Sequence, residues 1–475
     1  MDIPLQPRHT RLRWITVAVV CLVLVGCARS IPVNTETTIR PLKVSQHDAV
    51  DQHAERPAGS ESRSGMSLND EAGPEEYIRY ALRHHPDLDA AFHRWRAAAE
   101  RISQAQILPD PRISVGFILD QVDSSAEYMG EQYTIEQMFP WFGTLALGGN
   151  IALIRAHAEA QRYEATRLQV MDQVNRAYHE YAFQWHAVLI ARENLDLLVD
   201  LEAVTRTMFR TGTATLADVN RAQIEIGRLD EQVRSLEDLV GVSAAELNAV
   251  LGRSAHARLP ATPVRPTLHV IAALPEYTDA QWLALARQDN PELAAARYDA
   301  EQQHLAIALA RKNYFPDVAV GVEYARGGSA RMAMMDQGGS DMLAGMISIN
   351  VPIWRGKYDA EIREAQALAS ESQRRIESRE IRLEADLKRA LVTHRDSLRK
   401  LELYGQTLLP MARQTRTTTE MAYRAGTASF SDLIDTQRVL LEFALAHERA
   451  AADQAQAHTR IQALIGGRLN ERREK

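Results

Sequence analysis

The side chains here with obvious chemical potential are few, and the most suggestive are carboxylates beside two glycines. The ten residues from Phe209 to Asp218 (FRTGTATLAD) recur 214 positions later, from Tyr423 to Asp432 (YRAGTASFSD). Thr215 stands three residues before Asp218, and Ser429 three before Asp432. This is the spacing of a helix-start capping pattern, in which the side chains satisfy the first unpaired backbone N–H groups. Gly212 and Gly426 suit a helix reversal, which commonly needs a positive φ. Asp435 is different: its repeat partner is Arg221, so the shared fold does not demand an acid there. Carboxylates brought close together attract cations and raise one another's proton affinity. For Asp218 and Asp432, capping and a further role are compatible, and both stay open.

The second candidate is a thiol. Arg8, Arg11 and Arg13 precede an uncharged apolar stretch from Trp14 to Val25, which meets Gly26 and Cys27. A basic segment followed by a short apolar run is a secretory signal, too short to span a membrane. Its ending, Leu24-Val25-Gly26-Cys27, resembles the bacterial lipobox, where cleavage leaves the cysteine as an acylated first residue. An ordinary signal peptide with an incidental cysteine is the plainer alternative. Cys21, the only other cysteine, would be removed with residues 1–26, so no disulfide is expected within the mature chain. Ala28 rather than aspartate follows Cys27, which favours the outer membrane.

Met332, Met334 and Met335 beside Asp336 form a third group, since thioethers suit Cu(I); a methionine-containing loop with no ligand is the plainer reading, and no metal site is assigned. There is no HExxH, no Walker loop, no nucleophile elbow and no paired CxxC. The histidines fall at no ligand spacing. The chain is read as having no enzyme activity and no cofactor.

Positioning these groups falls to 475 residues, 45% hydrophobic, 25% charged and 6% aromatic. That balance excludes a disordered protein. A net charge of −7 implies no broad basic surface for nucleic acid. After the first 26 residues no apolar run approaches the roughly 18–20 needed for a membrane-spanning helix, but a membrane β-barrel needs only about 10 alternating residues per strand. Residues 27–73, with Pro57, Gly59, Ser60, Ser62 and Ser64, read as a lipid-anchored flexible tether.

From there the chain is written twice. His85-Pro86-Asp87-Leu88 matches Asn290-Pro291-Glu292-Leu293, and Leu108-Pro109-Asp110 matches Phe315-Pro316-Asp317. The glycine segments match as above, and Gly252 and Gly466 close similar helical endings. An ordered set of matches, 205 to 214 positions apart, marks an internal repeat. The first repeat is assigned to 74–259, a linker to 260–276, the second repeat to 277–467 and a polar tail to 468–475. Ile113, Val115, Phe117 and Leu119, then Tyr133, Ile135 and Phe139, alternate with more polar or smaller residues. Val318, Val320, Val322 and Tyr324, then Leu343, Ile347, Ile349 and Val351, do likewise. Period-two alternation predicts one β-hairpin per repeat. No proline interrupts 144–209, and the series Val174, Ala177, Tyr181, Val188, Ala191, Leu195, Leu198 predicts a coiled-coil rod about 100 Å long. Trp141, Trp354, Tyr133 and Tyr324 fall near strand ends, as an interfacial belt or as simple packing.

This order resembles the TolC-type outer-membrane efflux proteins over roughly residues 74 to 470. The most specific motifs are the segments at 208–219 and 422–435 and the Asn-Pro-Glu-Leu start at 290. The Pro-Trp-Phe-Gly element at 140–143 is similar to the heavy-metal branch of that family. The resemblance implies a mainly α fold with a membrane β-barrel. Four strands cannot close a barrel, and open edges are not tolerated in hydrocarbon, so copies must combine; a β-sandwich that buries its strand faces internally is the alternative. The family's number is three, giving a homotrimer with a 12-stranded barrel above an α-helical periplasmic tunnel. It further implies a passive exit duct for drugs or heavy-metal cations, served by a periplasmic membrane-fusion adaptor and an inner-membrane pump of the resistance-nodulation-division type. Carried over by position, Asp218 and Tyr423 tie neighbouring coils in a closed state, and Asp432 and Asp435 form acidic rings at the constriction. Arg210, Gly212, Thr213, Gly426, Thr427 and Ala428 fall at the tips where the adaptor docks. Ala428 replaces an arginine of the family's closed latch. A periplasmic coiled-coil adaptor lipoprotein is the alternative; it would carry a single helical hairpin between lipoyl-like β domains.

Overall fold

The computed structural model describes residues 72–118, 130–260, 263, 274–326 and 342–467. Cys27, the signal segment and nearly all of the tether lie outside the described residues. So do Leu119, the 332–336 methionine group, most of the linker and the tail.

Helix α1 (Pro74–His84) turns at His85 into α2 (Pro86–Gln106). Strands β1 (Arg112–Ile118) and β2 (Gly130–Phe139) follow, then α3 (Thr144–Arg210) and α4 (Leu216–Val250). The second repeat runs α5 (Asp279–Asp289), α6 (Pro291–Lys312), β3 (Asp317–Arg326), β4 (Met342–Asn350), α7 (Arg355–Glu402), a π-helical turn (Leu403–Leu408), α8 (Leu409–Arg424) and α9 (Phe430–Leu464).

The matched prolines begin α2 and α6, where the missing N–H costs nothing. His85 Nδ1 accepts from Asp87 N at 3.2 Å, and Asn290 Oδ1 from Leu293 N at 3.0 Å. The terminal glycines explain the other repeated ending. A Cβ on Gly466 would lie 2.3 Å from the Asp289 carbonyl oxygen, and one on Gly252 would lie 3.2 Å from that of His84. Each repeat thus closes its last helix against the start of its own α2 or α6.

Helix α3, 67 residues long, packs against α1, α2, α4, α6 and α9. Val174, Tyr178 and Tyr181 bury against Leu247 of α4, Leu251 just beyond its end, and Tyr77 and Ala81 of α1. Ala72, at the end of the stretch read as tether, is buried in the same cluster. Lower down, Ala191 and Leu198 pack with Leu229 and Val233 as the heptad series requires. Polar residues also face inward on α3: Asp172, Asn175, His179 and His186 are all buried. Among the described residues no helix is long and apolar enough to cross a membrane.

The repeats also differ in the length of their first long helices. Their first long helices start 211 positions apart (Thr144 and Arg355) but end 214 apart (Arg210 and Arg424), so the second carries three extra residues. Its π-helical turn absorbs part of this excess by underwinding. Gly405 lies in this turn, where a Cβ would meet His447 Nε2 at 3.0 Å, and Pro410 follows at the start of α8.

The four strands form one antiparallel sheet in the order β1-β2-β3-β4, so the two hairpins join through β2 and β3, and β1 and β4 are its edges. Val115, Tyr133, Tyr324 and Leu343 make one cross-strand row; Ile113, Ile135, Val322 and Gly345 make the next. This face is apolar yet open, with Ile113 71% and Ile347 72% exposed. The other face carries Ser114, Thr134, Glu323 and Ala344 in one row and Arg112, Glu136, Gly321 and Met346 in another. Ser348 Oγ donates to Glu136 there at 3.1 Å. Of the aromatics at strand ends, Trp141 is packed, stacking on Phe315 at 5.0 Å. Trp354 and Phe142 project, 75% and 84% exposed. Tyr133 and Tyr324 sit side by side at the opposite end of the sheet, 6.4 Å between ring centroids.

Candidate functional site

Away from the sheet, α3–α4 and α8–α9 each reverse at a matched glycine. Gly212 and Gly426 have φ of 76° and 77°, a region glycine enters without strain. Thr213 N donates to Met208 O at 2.9 Å and Thr427 N to Ala422 O at 2.9 Å, closing the two helix ends in the same way. Full capping boxes open the next helices. Asp218 N donates to Thr215 Oγ1 at 3.2 Å, while Asp218 Oδ2 accepts from Thr215 N at 3.1 Å. Ser429 and Asp432 repeat the arrangement at 3.1 and 3.1 Å. The Ser429 hydroxyl, then its backbone N–H, hold the Asp432 carboxyl below the usual carboxylate range.

The two tips come together within one protomer. Tyr423 is buried, edge-on to Phe430 at 5.6 Å, and its hydroxyl donates to Thr205 Oγ1 on α3 at 3.3 Å. Burial pushes the Tyr423 phenol up, and Asp218 nearby pushes it the same way. Asp435 projects from α9 with its side chain 70% exposed and pairs with Arg438 at 3.4 Å. Three further ties between the hairpins do not follow from the sequence motifs. Arg438 pairs with Glu225, Arg221 donates to Ser431 Oγ at 2.9 Å, and Gln437 donates to Asn194 Oδ1 at 2.7 Å. Asn194 stands one residue before the heptad position Leu195, and no sequence motif marked it or Gln437, though both are buried.

At the outer surface of the tips Arg210, Gly212, Thr213, Gly426 and Thr427 are exposed, while Ala428 is partly buried against the core. Among the described residues Arg210 reaches only its own helix, donating to Thr207 at 3.2 Å, and Arg424 pairs with Glu420 at 2.6 Å. Among the described residues no group of three or more His, Cys, Asp or Glu side chains is arranged to hold a metal ion.

This geometry has close counterparts. The chain is 24% identical over 407 residues to protein CyaE of Bordetella pertussis, covering 82% of each chain. It is 22% identical over 435 residues to the cobalt-zinc-cadmium resistance protein CzcC of Cupriavidus metallidurans, covering 86% of this chain and 95% of that one. The CmeC outer membrane channel of Campylobacter jejuni superposes with a TM-score of 0.69 at 14% identity, over 87% of this chain and 90% of CmeC. The profile of the outer membrane efflux protein family matches residues 77–253 and 282–467, the two repeats with their hairpins and tips. The chain therefore belongs to the outer membrane efflux protein family.

Proposed function

We propose that this chain is the outer-membrane exit duct of a tripartite efflux system, a conduit and not an enzyme. The observation that carries this reading is the four-stranded sheet with an apolar face open to its surroundings and both edge strands unpaired, joined to long helical hairpins. Such a sheet satisfies its edges in hydrocarbon only by pairing with copies of itself. Three copies give twelve strands, an even number within the range of known barrels. Ten residues of β2 rise about 34 Å, which at a tilt of about 40° spans the roughly 25 Å apolar band of such barrels. Trp354 and Phe142 at one end and Tyr133 and Tyr324 at the other supply its aromatic girdles. Ile381, Val392 and Leu403, exposed and eleven residues apart on one helical stripe, are further surface for a neighbouring copy.

Within the trimer Asp218 and Tyr423 hold the tips closed, and Asp432 and Asp435 supply the carboxylates of the constriction. Arg210, Gly212, Thr213, Gly426, Thr427 and Ala428 form the adaptor-facing surface, beyond which lies the inner-membrane pump. Cys27 is the lipid anchor of the mature chain. The partition into 74–259, 260–276 and 277–467 belongs to this reading as well. Substrates are drugs or heavy-metal cations, selected by the pump rather than by the duct. The test is the mass of the detergent-solubilised protein from outer-membrane fractions. A trimer is expected; a well-folded monomer in solution would overturn the proposal.

A further inference from the structure

A cleft of about 400 Å³ opens along the helical body, between the start of α6, the middle of α7, the end of α9 and α3 near Arg176. Its walls carry four guanidinium groups, those of Arg176, Arg379, Arg382 and Arg460, against the carboxylates of Glu292 and Asp386. The acids around it are largely engaged. Asp172, its side chain fully buried, pairs with Arg176 at 2.9 Å and Arg460 at 3.3 Å. Asp386 pairs with Arg389 at 3.2 Å and Arg460 at 3.4 Å. Glu380 pairs with Arg297 and Glu384 with Arg287, both outside the cleft. Arg379 donates to the Glu292 carbonyl oxygen at 3.1 Å, and Arg382 meets no carboxylate within ion-pair distance among the described residues.

The internal repeat supplies a comparison. The equivalent junction of the first repeat is a groove lined by His85, Arg176, Glu180 and Glu246. Arg460 corresponds to Glu246 at the 214-residue spacing, and Arg379 and Arg382 to Leu168 and Met171 at the 211-residue spacing. At these three aligned positions the first repeat carries a glutamate and two apolar residues, so the repeated fold does not itself require arginines there.

We propose that this cleft binds an oxyanion, a phosphate or carboxylate group. Arg379 and Arg382 are its principal donors, and Arg460 is held in place beside them by Asp172 and Asp386. Guanidinium offers forked N–H donors that match such groups, and pairing to an anion satisfies the excess cations. The site does not depend on whether the tube conducts.

Calorimetric titration of the full-length protein in detergent with inorganic phosphate, and separately with citrate, at ionic strength fixed with chloride, tests this. Saturable binding is expected. Arg379→Gln/Arg382→Gln should weaken it by about tenfold or more, the scale of a lost charge-assisted pair. Arg382→Gln alone removes an exposed side chain without an intramolecular ion pair, so it leaves the fold intact and should still weaken binding several-fold. Arg374→Gln/Arg375→Gln, on the same helix but paired with Glu377 and Glu371, should bind like the parent. Tighter binding of one anion than the other assigns the ligand as phosphate or carboxylate. No saturable binding of either anion, unchanged binding by Arg382→Gln, or equal loss in the control variant would overturn the proposal.

Discussion

Asp432 and Asp435 sit three residues apart on one helix and are placed in different ways. Asp432 completes a capping box, which any chain reversing at this point would use. Asp435 makes no backbone cap; its side chain is 70% exposed and pairs with Arg438. Buried residues matter as much as exposed ones. Desolvation pushes the His179 imidazole down to about 4, and its Nδ1 has no hydrogen-bond partner among the described residues. A base whose folded value is depressed contributes its full stability above its ordinary value, about 6.5, and loses it as pH falls toward the folded one. The thermal unfolding midpoint should therefore drop between about pH 6.5 and 4, and His179→Leu should flatten that dependence. An unchanged slope in the variant would show that His179 is solvated.

Among the elements, the π-helical turn interrupts the second repeat's long helix where the first repeat's runs on as α-helix. It contributes no buried residue of its own, and only Leu409, Ala412 and Leu440 form the small core beside it. Backbone amides in Leu403–Leu408 should exchange with deuterium faster than those of Leu189–Asn194, the aligned stretch of uninterrupted α3. Equal protection would contradict a weak point in the second coil. The long helices, hairpins and capped tips were legible in the sequence, because a 3.5-residue period, a two-residue period and Thr/Ser-x-x-Asp each have a distinct physical cause. The π-helical turn was not, since it arises from a three-residue excess visible only when both ends of the repeats are aligned. The inward Asp172 and His179 were not legible either, because polar residues on a coil read as its solvated face. Within the site, the Asp218 and Asp432 caps could be read from spacing. The ties Tyr423–Thr205 and Arg438–Glu225 join residues more than 200 positions apart, and depend on how two hairpins lean together.

At the scale of the whole molecule, the sheet has an apolar face uncovered and two strand edges unpaired among the described residues. If that face meets lipid, a lysine at Ile135 should cost about 2–4 kcal/mol of membrane-inserted stability at mid-depth. A lysine at the neighbouring Thr134, on the polar face, should be tolerated. Similar losses at both positions in unfolding titrations from lipid vesicles would contradict the assignment of faces. The central claim, that the assembled chain is an aqueous duct closed at its tips, is tested most directly by conductance in planar bilayers. The parent protein would be compared with Tyr423→Phe/Arg438→Ala, which removes two ties between the hairpins. The duct reading predicts discrete conductance steps, larger in the untied variant than in the parent. Absence of steps from both proteins, when each is folded and inserted in the bilayer, would contradict it.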